Sequence, residues 1–335
     1  MLTFTIRRLL LAIPTLIFIA FVIFLLLLKA PGNPLGDIPL TIPPEVREQM
    51  RAALGLDQAW YLRFGLWLYQ LGVVEPQVWF DHIFGTSFSV GQQRVISFQS
   101  RSPVFDTIGE RIPQTLWVVG MSYVVGVLIA LPIGIISATR QYSIFDQIGT
   151  LISMIGFSVP TFFTGVLLIT IFSVNLGWFP SIYVTTLEVN DLASFGQQLR
   201  QMAMPVFVLA LFNASQISRY MRASMLDNLS QDYVRTARAK GMTERVVVMK
   251  HVLRNSLIPV VTVIALGVPS VFGGAIITEQ VFKVNGLGQL LIIAINGKDI
   301  PMVMTLSFVF AVLIVLFNLI ADVLYGVLDP RIRYD

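Results

Sequence analysis

The 335-residue chain has no cysteine and few charges. Without thiols it has no disulfide framework and no Cys-ligated zinc or iron–sulfur site. Charged residues make up 13% of it, about half the share of an ordinary soluble domain. So thin a polar covering excludes a soluble globular enzyme. Its two histidines, His82 and His251, form no H-E-x-x-H pair, which argues against metal- or histidine-dependent catalysis. No G-x-x-x-x-G-K-[ST] loop occurs, and Gly297-Lys298-Asp299 is the nearest fragment. The chain therefore lacks that phosphate cradle. Gly85-Thr86-Ser87-Phe88-Ser89 lacks the closing glycine of a nucleophile elbow.

Apolar residues are abundant, at 55% of the chain with 24 Phe. That composition excludes intrinsic disorder and predicts an all-α membrane protein. A span needs about 20 apolar residues. Six runs qualify, at about 9–28, 114–138, 149–174, 202–218, 257–278 and 302–327. The first is longer than a signal-peptide core and is followed by no good cleavage site, so it reads as an uncleaved anchor. With the N-terminus inside, segments 1–8, 139–148, 219–256 and 328–335 hold 13 Lys/Arg in 64 residues, against 10 in the 135 residues of the other loops. This asymmetry predicts that both termini are cytoplasmic and accounts for the net charge of +4 without nucleic acid.

The chain then divides into an anchor (1–28), an extracytoplasmic loop (29–113) and a five-helix core (114–335). Within 29–113, prolines surround a short helix expected over 45–54. The aromatic stretch 61–71, with Trp60, Trp67 and Tyr69, suits either a membrane interface or a small subdomain packed on its own rings.

The loop 219–256 is far longer than a reconnection needs and carries eight Lys/Arg and three acids. Ser230 is expected to cap a helix with Asp232 in its first turn. Lys240 and Gly241 read as its C-terminal end. Thr243 is expected to cap a second helix that starts at Glu244 and places Val246, Met249 and Leu253 on one face. Small residues, Ala237 and Ala239, leave room for another protein to approach, and the basic edges favour an acidic partner groove or anionic lipid. An amphipathic interfacial helix accounts for the same pattern.

This loop resembles the signature loop of ABC importer permeases, the membrane subunits of binding-protein-dependent transport systems. That pattern is Glu-Ala-Ala, three residues, Gly, nine residues, then Ile-x-Leu-Pro. Ala237, Gly241 and Leu253 match, while the Glu, the Ile and the Pro do not. The departures fit the dipeptide/oligopeptide/nickel branch, which Tyr233–Gly241, His251–Asn255 and Ile258–Thr262 resemble. Further similar stretches extend over nearly the whole chain, among them 278–282 with 286–288 and the C-terminal 329–334.

The resemblance implies a six-helix permease that translocates di- or oligopeptides delivered by an extracytoplasmic binding protein. Near relatives carry nickel chelates, glutathione, oligosaccharides or opines. It further implies a second homologous permease and two ATP-binding subunits, which bind ATP and Mg, with no cofactor and no catalysis in this chain. The implied location is the cell inner membrane. The ATPase-coupling residues would be Tyr233, Arg235, Thr236, Ala237, Arg238, Ala239, Lys240, Gly241, Glu244 and Arg245.

Residues tolerant of water or bending suggest a pathway: Ser158 and Pro160 in the third run, Asn213 and Gln216 in the fourth, and Pro269, Gly273 and Gly274 in the fifth. Helix packing explains the same residues. Asp322 in the sixth run is expected to pair with Arg331 or Arg333. A stand-alone secondary transporter or channel is the alternative, though it would more often bury charges along its spans.

Overall fold

A computed structural model describes residues 2–29, 57–273 and 275–328, together with Pro43, Glu45 and Glu48. The stretch 30–56, Gly274 and the C-terminal 329–335 otherwise lie outside the described residues. Most of the helix expected over 45–54, the C-terminal motif, Arg331 and Arg333 therefore fall there too.

The described residues are almost wholly helical. Helix α1 is Leu2–Lys29. Helices α2 (Trp60–Tyr69) and α3 (Glu75–Phe84) are joined by a π-helical turn, Gln70–Val74. Helix α4 is Val104–Thr139. Helices α5 (Ile144–Ser158) and α6 (Thr161–Asn175) form a bent pair. Helix α7 is Leu192–Leu229 and α8 is Asp232–Ala239. Helix α9, residues 244–273, contains a π-helical turn at Val247–Val252. The last three are α10 (Ile276–Phe282), α11 (Leu287–Asn296) and α12 (Ile300–Leu328). Five helices are long and apolar enough to cross a bilayer, and a sixth span arises if α5 and α6 count as one.

The third apolar run is not one straight span. Pro160 has no N–H to donate and drives Val159 into an extended conformation (φ −79°, ψ 125°). The chain turns through 102° there.

The chain forms two compact units. In the first, which includes Pro113–Gln289 and the outer ends of α1 and α12, the 38-residue α7 is the central post. Asp191 starts it with a capping box: its Oδ1 accepts the Ser194 N–H (2.7 Å), and Ser194 Oγ accepts the Asp191 N–H (3.0 Å). The Ser194 hydroxyl, foremost, and the Ser194 N–H both donate to the Asp191 carboxyl and hold it below its ordinary range. Helix α4 meets α7 along buried Gly126, Ala130, Gly134 and Ala138. A Cβ at Gly134 would lie 2.6 Å from Met221 Cβ and 2.8 Å from the Ser218 carbonyl oxygen. Backbones can come this close only where side chains are absent.

Helix α5 binds an adjacent face of α7. Arg222 donates to both oxygens of Asp146 (2.7 and 2.8 Å), Ser153 meets Ser218 (3.2 Å), and Phe157 stacks on Phe212. Glu279, 1% exposed, organises the turn between α10 and α11. It accepts from Thr115 Oγ1 (3.0 Å) and from the Gln289 N–H (2.9 Å), while Thr115 accepts from the Leu287 N–H (2.8 Å). The free N–H groups at the start of α11 are thereby satisfied. Arg8 in α1 pairs with Asp322 at 2.9 Å.

The second unit combines the rest of α1, the segment up to Ile112 and Leu290–Val312. Asp299, 2% exposed, accepts from Ser97 Oγ, the Phe98 N–H (3.0 Å) and the Met302 N–H (3.3 Å). Trp67 Nε1 donates to Thr305 Oγ1 (3.2 Å). Arg94 bridges Glu75 and Asp106, and these two carboxylates, Asp106 foremost, raise its pKa. Desolvation pushes the Asp81 carboxyl up, but hydrogen bonds from Ser89, Thr86 and the Phe88 N–H outweigh it. The net shift is well below the ordinary carboxylate range. The Asp81 bonds close the turn after α3.

The contact at Gly134 is testable. Overpacking typically costs about 1–3 kcal/mol, so Gly134→Ala should lower the thermal unfolding midpoint in detergent by several degrees. Gly120→Ala meets only Leu116, at 3.9 Å, and should leave the midpoint near wild type. Equal midpoints for the two variants would refute the close approach of α4 and α7.

Candidate coupling surface and transport pathway

The loop 219–256 folds as a short helix held rigidly against the ends of two long ones. Helix α7 ends at Leu229, and Ser230 points its hydroxyl back to the Asp227 carbonyl (2.9 Å). Ser230 is therefore not the cap of α8. Gln231 occupies that position, without a side-chain capping bond. Tyr233 donates to Asn228 Oδ1 (2.7 Å), and Thr236 donates to the Asp232 carbonyl (2.9 Å). Arg235 pairs with Asp232 at 3.3 Å.

One face of α8 is a packing face. Val234 is fully buried and Ala237 is 5% exposed, in a cluster with Met221, Met225, Val247, Val248 and Val252. This corrects the expectation that Ala237 faces a partner; only Ala239 of that pair is exposed. The second helix also buries a different face from the one expected. Val246 and Met249 are exposed, while Val247, Val248 and Val252 are buried. Both faces are apolar at a 3.6-residue period, and packing of Val247, Val248 and Val252 with Met221 and Met225 decides which is buried. Thr243 stands before this helix but caps through its carbonyl, which accepts the Val246 and Val247 N–H groups.

The junction at Gly241 is a Schellman ending. The Gly241 N–H donates to the Arg238 carbonyl (2.9 Å), and the Met242 N–H donates to the Ala237 carbonyl (3.4 Å). Gly241 has φ +76°, and nothing lies within 4 Å of where its Cβ would be. The demand for glycine there is conformational and not steric. Arg238 spans the turn to Glu244 with two bonds (2.6 and 3.1 Å), which raise its pKa. The pair is exposed and adds little stability, but it fixes the angle between α8 and α9. Below it, Ser224 and Ser256 exchange hydroxyl–carbonyl bonds (2.9 and 3.2 Å) between α7 and α9. Sequence reasoning missed this serine pair; its only signal is two small polar residues near helix ends.

The outer face therefore presents Arg235, Thr236, Arg238, Ala239, Lys240, Gly241, Glu244 and Arg245 together, with Tyr233 at its edge. The pathway candidates are not brought together in this way. Ser158 and Pro160 flank the break between α5 and α6, both exposed. Asn213 and Gln216 are half-buried in α7. Asn213 packs towards α4, where a Cβ at Gly126 would lie 3.0 Å from its own. Pro269 is buried in α9, and Gly273 ends that helix. Gly274 lies outside the described residues.

This arrangement has the fold of an ABC transporter membrane subunit. A solved structure of the MetNI methionine ABC transporter in an inward-facing conformation superposes with a TM-score of 0.55, at 20% identity, covering 68% of this chain and 99% of that one. The sequence places it further. Residues 130–334 match the family described as binding-protein-dependent transport system inner membrane component, and residues 1–119 match that family's N-terminal region. Relatives align end to end. The oligopeptide transport system permease protein AppB of Bacillus subtilis is 39% identical over 100% of both chains. The glutathione transport system permease protein GsiC of Salmonella choleraesuis is 37% identical over the same extent. A putative peptide transport system permease of Brucella abortus is 35% identical over 98% of each. The chain belongs to the binding-protein-dependent transport system inner membrane component family, and it is a multi-pass inner-membrane permease.

Because Gly241 is strained only by conformation, its substitutions should rank by tolerance of positive φ. Gly241→Asn should leave amide exchange across 232–246 near wild type. Gly241→Val should accelerate it by about tenfold, reflecting about 1–2 kcal/mol of left-handed strain. Equal exchange in the two variants would remove the Schellman assignment.

Proposed function

We propose that this permease imports di- or oligopeptides, and that α8 with the Gly241 turn is the helix that docks on the ATPase subunits. The observation that carries the docking reading is the rigid basic outer face of α8, with its opposite face anchored by Val234 and Ala237. Peptide cargo is favoured by the names of the relatives from Bacillus and Brucella. Glutathione, itself a modified tripeptide, is the second reading, favoured by the Salmonella relative.

In this reading the chain crosses the membrane six times, counting α5–α6 as one span, with both termini cytoplasmic. Loop 219–256 then lies on the cytoplasmic side, and segment 29–113 faces the binding protein. A second homologous permease completes the pore. ATP and Mg are bound by two separate ATPase subunits, whose closure is transmitted through Arg235, Arg238, Lys240 and Arg245. Anchor 1–28, loop 29–113 and core 114–335 are the working divisions. Ser158, Pro160, Asn213, Gln216, Pro269, Gly273 and Gly274 are the proposed pathway and gating positions. Pro160 is the strongest of them, because a proline break frees backbone groups that can line a water-filled path.

The test is uptake of a radiolabelled tripeptide by cells that depend on this permease. Gly241→Val should insert normally but abolish most uptake, and reversing the charge of Arg235 and Lys240 together should lower ATPase recovery on mild purification at least about tenfold. Normal uptake and normal ATPase recovery in both variants would sink the docking assignment.

A further inference from the structure

The second unit contains a cavity of about 290 Å³ that the transport reading leaves unused. Arg63 and Gln70 line it, Trp67 contributes apolar wall, and Gln58, Gln93 and Arg94 complete its polar part. Gln70 is only 8% exposed, and its amide makes no hydrogen bond among the described residues. Arg63 is half-buried on α2, and its guanidinium meets no acceptor among the described residues. Burial lowers its pKa. Arg94 differs, being fully engaged by Glu75 and Asp106. No Asp or Glu is among the described residues that line the cavity.

An amide and a guanidinium that face a cavity, partly withdrawn from water and with no partner among the described residues, gain free energy from an acceptor placed there. A lysine could shed its charge in such a place, but arginine cannot. Two such groups facing one cavity are complementary to an acceptor that bears negative charge. The guanidinium fork matches the planar edge of a carboxylate or two oxygens of a phosphate. The amide N–H groups of Gln70 offer further donors to the same oxygens. The volume is near the lower end for small-molecule sites and is suited to a single anionic group with a short carrier.

We propose that this cavity is an oxyanion-binding site, in which Arg63 and Gln70 hold a carboxylate or phosphate group against the Trp67 wall. Two sources share that chemistry: a soluble anion, and the phosphodiester of a lipid headgroup. The exposed rings of Trp60 and Tyr61 on the same helix would suit a nearby membrane interface. The site does not depend on which solute the permease carries.

The experiment uses the full-length chain in detergent, as wild type, Arg63→Gln, Arg63→Lys and Gln70→Leu. Trialanine, trialanine amide and inorganic phosphate are titrated against tryptophan fluorescence, and lipid phosphorus retained per chain is assayed on the same samples. For a soluble source, trialanine or phosphate should bind wild type, and Arg63→Gln and Gln70→Leu should each weaken that binding by about tenfold or more. Arg63→Lys should retain most of it, and the amide should fail. For a lipid source, about one phospholipid should stay with wild type and Arg63→Lys and be lost from Arg63→Gln. Gln70→Leu, which keeps the charge, carries the comparison should Arg63→Gln misfold. Equal anion binding and equal lipid phosphorus in wild type, Gln70→Leu and every folded Arg63 variant would overturn the proposal. So would wild-type protein that neither binds the soluble anions nor retains lipid.

Discussion

The backbones of α4 and α7 approach so closely at Gly126 and Gly134 that no side chain fits between them. In a bilayer, apolar surface does not drive helices together, because lipid tails are as apolar as leucine. Close van der Waals contact and interhelical hydrogen bonds must do so. The glycine–alanine edge of α4 supplies the first on one side of α7. Asp146, Ser153 and their partners Arg222 and Ser218 supply the second on the adjacent face. Helix α7 is thereby gripped by two helices, and its far end becomes a fixed base for whatever follows it. That base is what lets an eight-residue helix such as α8, too short to be stable alone, keep one orientation.

Much of the remaining structure follows from the need to satisfy buried polar groups. At two breaks in the helical ladder, a side chain takes over. Glu279 and Thr115 serve the start of α11, and Asp299 serves both the 97–99 turn and the start of α12. Two carboxylates thus do at the helix breaks what the continuous ladder does within the spans. The Schellman bonds at Gly241 do the same job in the outer loop, using only backbone. Among the described residues, no such partner reaches Arg63 or Gln70.

Much of this was legible in the amino-acid order. Long apolar runs mark spans because 1.5 Å per residue must cover a fixed thickness. Pro160 marks a weak point because of its missing N–H, although the size of the bend was not readable. The full length of α7 was hidden, since its first turns carry Gln197, Gln198 and Arg200 and look like loop. Gly241 was readable as a turn from local chemistry alone. The inward direction of Ala237 was not, because it depends on Met221 and Met225 in another helix. The buried side of α9 was misassigned because both of its faces are apolar, and the choice between them rests on Met221 and Met225 in α7. Glu279 fell within a motif shared with the family, but its role needed Thr115, 164 residues earlier.

Asp299 also sets an order of events during synthesis. The segment it organises, Ser97 to Gln99, emerges about 200 residues before Asp299 itself. At roughly 5–20 residues per second, that interval is on the order of 10–40 s. During it the backbone N–H groups of Phe98 and Gln99 have no carboxylate to bind, and the Trp67 indole has no Thr305. The second unit thus cannot close until Leu290–Val312 is made, although most of it, Leu11–Ile112, is made first, and a ribosome that stops short of the final helix releases a chain whose early segment has never met its partners.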